Sequence, residues 1–282
     1  MKNPPPETKY DKLLRRLGEF PSLLVAFSGG ADSTFLLAAA QKAVRGRVVA
    51  ATARSPSYPV RELEHAEATA RIMEAEHIFF DSHETENADF RANPPHRCYF
   101  CKLVLGRDLK RLAEKEGLAD VAEGTTADEL EGHRPGAKAL RELDIQSPLA
   151  QVGLTKEEIR SLAREYGVPN FDRPPTACLA SRFPPGEEIT NEKLRTVEAA
   201  EQTLFDLGFR QIRCRYYGPV ARIEVDPKEI SRATIASIRK RIVDKFHQLG
   251  FRFVTLDLDG YRLGSVDESP GAKKAADDSP GA

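Results

Sequence analysis

Apolar stretches a few residues long alternate along this chain with longer stretches whose apolar positions fall at helical spacing. An apolar strand ending in Val25, Ala26 and Phe27 empties into a polar, glycine-containing turn, and residues 34–40 read as the helix behind it. Residues 47–52, 77–81 and 119–122 read as further short strands. Between them lie a charged helix over 60–75, opened by Pro59, and a helix that follows Cys101. Proline suits the first helical turn because its missing N–H would be unpaired there anyway. Thr155 and Glu158 have the spacing of a capping box, so a helix is expected from there to about Tyr166, stopping at Gly167. Strands alternating with helices predict an α/β domain: a parallel sheet with helices on both faces.

The texture changes at 169–186, where five prolines exclude a regular helix or a central strand. An irregular segment of that length inside a compact protein reads as a functional loop that also links two domains. Beyond it, a helix over 191–207, strands over 211–216 and 221–225, a helix over 227–249 and a strand over 251–258 predict a smaller C-terminal α+β domain. The expected organisation is therefore a disordered 1–8, a first domain over 9–168, a catalytic loop and linker over 169–187, a second domain over 188–264, and a disordered tail over 265–282.

Composition narrows the class. The 282 residues are 40% hydrophobic and 30% charged, ordinary for a globular enzyme with two real cores. A net charge of −1 gives no overall basic field for nucleic acid. No apolar run approaches a membrane span, and the first residues lack the apolar stretch of a signal peptide, so a cytoplasmic protein is expected. Four cysteines in this length do not make a disulfide scaffold.

Chemistry concentrates in three places. The first is Ser28-Gly29-Gly30-Ala31-Asp32-Ser33 at a strand-to-helix turn. Glycines let the backbone approach a ligand, and the helix start aims unpaired N–H groups and a positive dipole end at it. A pyrophosphate is the natural guest. The loop is not a Walker A motif, since no lysine follows until Lys42. The second is Cys98-x-x-Cys101 at the mouth of a helix, which suits a metal, a redox dithiol or two unligated thiols. Cys178, in the proline-rich loop, is the candidate third thiolate. The third is Arg213-Cys214-Arg215 on a strand, where a period of two puts the cysteine on one face and both arginines on the other. Guanidinium groups placed together suit a phosphate or carboxylate, unless that face is simply solvated.

These motifs together carry a resemblance. Ser28 to Ser33 is similar to the PP-loop of ATP pyrophosphatases, which split ATP between its α and β phosphates while adenylating a substrate. With Ser55-Pro56-Ser57-Tyr58-Pro59 and Glu62, the run from Glu123 to Asp128, Arg134-Pro135-Gly136, Ser147-Pro148-Leu149 and Pro175-Thr176-Ala177-Cys178-Leu179-Ala180-Ser181-Arg182, the chain resembles the LarE family over about residues 10–264. These are ATP-dependent sulfur transferases that help make the nickel-pincer nucleotide cofactor of lactate racemase. The resemblance implies a PP-loop, adenine nucleotide alpha hydrolase-like fold and adenylation of a carboxylate of pyridinium-3,5-biscarboxylic acid mononucleotide. Sulfur then replaces AMP to leave a thiocarboxylate.

It also implies roles. Ser28, Gly29, Gly30 and Ser33 would hold the phosphates of ATP, with Asp32 near Mg²⁺ and Gly124, Thr125 and Asp128 shaping the nucleotide pocket. Ser181 and Arg182 would flank the sulfur site, and Arg182, Glu201, Arg213 and Arg215 would bind the substrate nucleotide. One branch of the family gives up the sulfur of its own loop cysteine, matched here by Cys178. The other holds a [4Fe-4S] cluster on three cysteines, and the presence of Cys98 and Cys101 beside Cys178 assigns this chain to it. A homo-oligomer without nucleic-acid or membrane partners is expected. The competing readings are a tRNA-thiolating PP-loop enzyme, which should carry a basic surface and more cysteine pairs, and a non-catalytic zinc or nucleotide sensor, which should have a degenerate loop.

Overall fold

A computed structural model describes residues 7–130, 135–174 and 176–262, and the chain divides into two compact units, Met1–Ala177 and Cys178–Ala282. The expected tail over 265–282, Arg134, Pro175 and most of 1–8 lie outside the described residues.

The first unit begins with α1 (Lys9–Leu17), a helix that the sequence reading missed. Its capping box joins Thr8 to Asp11, and Tyr10, Leu13 and Leu17 form its buried stripe. There follow β1 (Leu23–Ala26), α2 (Ala31–Ala43), β2 (Val48–Arg54), α3 (Val60–Ile72), β3 (Glu76–Asp81), α4 (Arg97–Lys115), β4 (Asp120–Ala122), α5 (Pro135–Glu142) and α6 (Lys156–Glu165). Among the described residues, the four strands make one parallel sheet in the order β3-β2-β1-β4.

Alternation along the strands builds two cores. Leu23, Val25 and Phe27 with Ala50 and Ala122 pack against α1, α2, α3 and α6. Leu24, Val49, Ala51 and Val121 face the other way, onto Leu105, Leu109 and Ala113 of α4 and Leu140 of α5. Small residues in β2 let helices sit close on both faces. The strand order reverses between β1 and β4, so their carboxyl ends open a crevice of the kind that holds ligands in such sheets.

The second unit holds α7 (Asn191–Asp206), β5 (Ile212–Tyr217), β6 (Val220–Val225), α8 (Ala236–Gln248) and β7 (Phe253–Leu256). A β5–β6 hairpin is extended by β7 running parallel to β6. The single helix expected over 227–249 is broken: two short turns, Pro227–Glu229 and Ile230–Ala233, precede α8, and Ile235 is extended at its start with ψ 129°. No helix among the described residues is long and apolar enough to cross a membrane.

Candidate active site

In the first unit, β1 ends at Ala26 and the chain turns through Ser28 and Gly29 into α2. Gly29 takes φ 71°, and a Cβ there would lie 2.9 Å from the Ala66 backbone on α3, so only glycine fits. Gly30 is the N-cap of α2 and supplies no side chain to its first N–H groups, which is what an anion-binding helix start requires. The Ser28 and Ser33 hydroxyls meet at 3.2 Å, and Ser33 also donates to the Gly30 carbonyl at 3.2 Å. Ser28 itself is exposed. The turn is thus folded around its own hydroxyls.

Asp32 follows in the first turn. Burial pushes its carboxyl up to about 6, against the pull of the Lys156 cation and with Glu129 adding to the rise. Gly124, after β4, lies against this turn: a Cβ there would come 3.1 Å from the Ser33 nitrogen. The loop carrying Gly124 is ordered by Glu123, a buried carboxylate that accepts from the Thr125 amide at 3.1 Å, the Thr125 hydroxyl at 2.7 Å and the Ser147 hydroxyl. Asp128 accepts from the Lys156 amide at the start of α6. Beyond β2, the Ser55 and Ser57 hydroxyls both donate to the buried Glu84. Glu84 was invisible in the sequence because it lies 29 residues from Ser55 in a short polar stretch.

Cys98 and Cys101 occupy the first turn of α4, Cys98 exposed and Cys101 half-buried. Gly136 of α5 packs there, a Cβ on it lying 3.4 Å from the Cys98 carbonyl. Spacing of three puts the two thiols on one helix face.

In the second unit, Cys178 caps a turn of 3-10 helix over Leu179–Arg182. Its carbonyl is held three ways: by the Ser181 amide at 3.1 Å, the Ser181 hydroxyl at 2.9 Å and the Arg182 guanidinium at 2.9 Å. Arg182 is gripped in turn by both oxygens of Glu201 on α7, each at 2.8 Å. Arg215 holds the Ser181 carbonyl at 2.8 Å and pairs with Glu224. Arg213 reaches the Ser181 hydroxyl at 3.5 Å and the Tyr261 hydroxyl at 2.9 Å. Ser181, Arg182, Glu201, Arg213 and Arg215 therefore form one network around the Cys178 turn.

All three arginines are buried, so the alternative of a solvated sheet face for Arg213 and Arg215 does not hold. Arg182 and Arg215 have carboxylate partners; Arg213 has none among the described residues. Burial and the neighbouring Arg182 cation lower its affinity for its proton. Glu224 and Tyr261 were missed from sequence. Glu224 could have been found, since strand alternation places it with Arg222 on one face, opposite Arg213. Cys214 is fully buried, and burial raises its thiol well above the usual range.

Donor chemistry for a three-thiolate cluster exists: Cys98 is exposed and Cys101 and Cys178 are half-buried, while Cys214 is sealed. Two of those thiols belong to the first unit and the third opens the second. Among the described residues, no group of three or more His, Cys, Asp or Glu side chains that could hold a metal is present.

No protein-family model matches the chain. It is 40% identical over 261 residues to an uncharacterized protein of Synechocystis sp., spanning 93% of this chain and 97% of that one. It is 32% identical over 263 residues to the pyridinium-3,5-bisthiocarboxylic acid mononucleotide synthase of Lactiplantibacillus plantarum, spanning 93% of this chain and 95% of the relative. A partial likeness, 29% identity over 161 residues, covers 52% of this chain and 38% of the argininosuccinate synthase of Haloarcula marismortui.

Proposed function

The chain belongs to the LarE family, the pyridinium-3,5-bisthiocarboxylic acid mononucleotide synthases, and from that premise we propose that it is an ATP-dependent sulfurtransferase of nickel-pincer cofactor biosynthesis. The observation that carries the reading is the Ser28–Ser33 turn, with its left-handed Gly29 and a helix start left uncapped for an anion.

A carboxylate is a poor acyl electrophile. Joining it to AMP supplies a leaving group, and pyrophosphate departs. In this reading the N–H groups of Gly30, Ala31 and Asp32, with the Ser28 and Ser33 hydroxyls, receive the β and γ phosphates. Asp32 would sit by the Mg²⁺ that neutralises them, and the residues ordered by Glu123 would border the nucleotide. The substrate nucleotide is anionic, and Arg213, the buried guanidinium with no carboxylate partner among the described residues, is the group that gains most from its phosphate. Arg182 and Arg215 are already paired, so they hold the Cys178 turn in place.

For the sulfur, we assign Cys98, Cys101 and Cys178 as ligands of a [4Fe-4S] cluster, which when bound supplies an open iron for a transferable sulfide. Anaerobic reconstitution followed by iron, sulfide and zinc analysis tests this. Four irons per chain, lost in Cys98→Ala, Cys101→Ala and Cys178→Ala, are expected. Single turnover with loss of one sulfur from Cys178 would place the chain in the self-sacrificing branch. The activity itself is tested by pyrophosphate release on adding ATP, Mg²⁺ and the biscarboxylate mononucleotide, with Ser33→Ala as the damaged control. Release in the wild type and at least tenfold less in the variant is the expected result.

A further inference from the structure

The turn between β1 and α2 is held from outside by a side chain that neither the sequence motifs nor the family resemblance brought forward. Asn170, in the proline-rich segment after α6, donates its Nδ2 to the Gly29 carbonyl at 3.0 Å and to the Thr69 hydroxyl on α3 at 2.9 Å. Accepting the proposed role of the Ser28–Ser33 turn in binding the phosphates of ATP, we infer that Asn170 is a positioning residue, which fixes the direction of the Gly29–Gly30 peptide.

The geometry runs as a chain of constraints. No peptide bond among the described residues is cis, so the Gly29 carbonyl and the Gly30 N–H point to opposite sides of their shared plane. Pinning the carbonyl on Asn170 therefore turns the Gly30 N–H the other way, toward the exposed Ser28 hydroxyl, 3.4 Å from it. With glycine on both sides, this peptide can flip at little steric cost. Flipped, it would aim a carbonyl oxygen at the phosphates, and a donor would become a repelling group. A Gly-Gly turn that binds anions therefore needs a lock.

Asn170 is built to be one. It holds φ 66°, a left-handed conformation that asparagine tolerates better than most residues. The Thr69 hydroxyl spends its hydrogen on the His65 carbonyl at 2.8 Å, so it meets Asn170 as an acceptor. The Gly29 carbonyl is also only an acceptor. Both amide hydrogens of Asn170 are thus committed, and a carboxylate of the same shape could make neither bond. The segment is fastened separately, through Arg173 to both oxygens of Glu62 at 2.9 Å and through Arg160 to the Arg173 carbonyl at 3.3 Å. His65 also bonds to the Gly29 backbone; burial and the Arg173 cation hold it below the usual histidine value.

The test is calorimetric titration of the full chain with Mg²⁺-pyrophosphate, Mg²⁺-ATP and AMP, with melting temperature as the check on folding. Asn170→Gly keeps the backbone conformation and removes both donors; Asn170→Asp keeps the shape and reverses the polarity. Pyrophosphate and ATP should bind about five- to tenfold more weakly to Asn170→Gly, the worth of one lost hydrogen bond, and more weakly still to Asn170→Asp. AMP, which lacks the outer phosphates, should change less than twofold. Either folded variant suffices for the comparison. Unchanged pyrophosphate affinity, or an equal loss for AMP, overturns the positioning role and leaves the phosphate-loop reading standing. A wild type that binds neither pyrophosphate nor ATP overturns both.

Discussion

Asp32 carries a folding cost that its place in the turn explains. Its carboxyl is raised from 3.8 to about 6, so between those values the folded chain holds a proton that the unfolded chain has released. The contribution of Asp32 to stability therefore falls as pH rises from about 4 to about 6, and is level above. The ligand-free Asp32→Asn variant should lose that slope and be more stable at pH 7.5 by about 1–2 kcal/mol, after allowing for its partial exposure. Urea unfolding across pH 4–8 reads both effects. The same variant should release little pyrophosphate, the trade expected where a destabilising charge serves a ligand. A wild-type-minus-variant difference that stays constant across pH 4–8 would mean the carboxyl is not raised.

Arg182 presents the opposite case, a buried cation whose cost is met by a bidentate carboxylate. Removing one partner strands the other, so Arg182→Ala should destabilise the chain by about 3–5 kcal/mol. Arg182→Lys recovers the charge without the two-pronged geometry and should fall between the two. Denaturant melts rank the three proteins; an Arg182→Ala chain as stable as wild type would deny that the Glu201 pair anchors the Cys178 turn. Cys214 calls for a different probe. Its raised thiol and full burial mean that iodoacetamide should label Cys98 in the native, cluster-free chain and reach Cys214 only on unfolding, as peptide mass mapping would register.

Two left-handed glycines separate the demands of a turn from those of its packing. Gly29 and Gly117 have φ 71° and 67°, yet a Cβ on Gly117 meets nothing within 4 Å, while one on Gly29 strikes α3. Gly117→Ala should cost about 1–2 kcal/mol, the backbone price alone. Gly29→Ala should cost more and abolish pyrophosphate release, because α3 or the turn must move; equal melting temperatures for the two variants would remove the packing argument. The same contrast marks what was legible in the sequence. The strand-turn-helix at Ser28 is local, and so could be read: its alternation, glycines and helix start lie within a dozen residues. The capping box at Thr155 was legible for the same reason. The α1 helix has equally local signals, its capping box and its stripe of Tyr10, Leu13 and Leu17, within the span assigned to the first domain. The break before α8 falls at Thr234 and Ile235, which interrupt no apolar period. Asn170 and Gly29 are 141 residues apart, and no spacing rule joins them. Nor could alternation alone say that Arg213 and Arg215 face inward, since their burial is set by Glu224, Tyr261 and the Ser181 turn.

The two compact units divide the proposed chemistry by residue. The phosphate turn, Asp32 and the Glu123 loop belong to the first, while Cys178 and the arginine network belong to the second. Activation and sulfur transfer should therefore be separable by mutation. Cys178→Ala removes a thiol whose backbone carbonyl, not its sulfur, receives the bonds from Ser181 and Arg182, so the turn should persist. Such a chain should still release pyrophosphate from ATP and the biscarboxylate mononucleotide, within about threefold of wild type in a single turnover. It should form no thiocarboxylate, and AMP should leave only as the adenylate hydrolyses. Ser33→Ala should fail at the first step instead, losing at least tenfold in pyrophosphate release with the Cys178 thiol intact. Quench-flow with labelled ATP, paired with mass spectrometry of the nucleotide product, distinguishes these outcomes. If Cys178→Ala stopped pyrophosphate release as completely as Ser33→Ala does, the sulfur-bearing turn would have to take part in activation, and the division of labour drawn from the two units would be wrong.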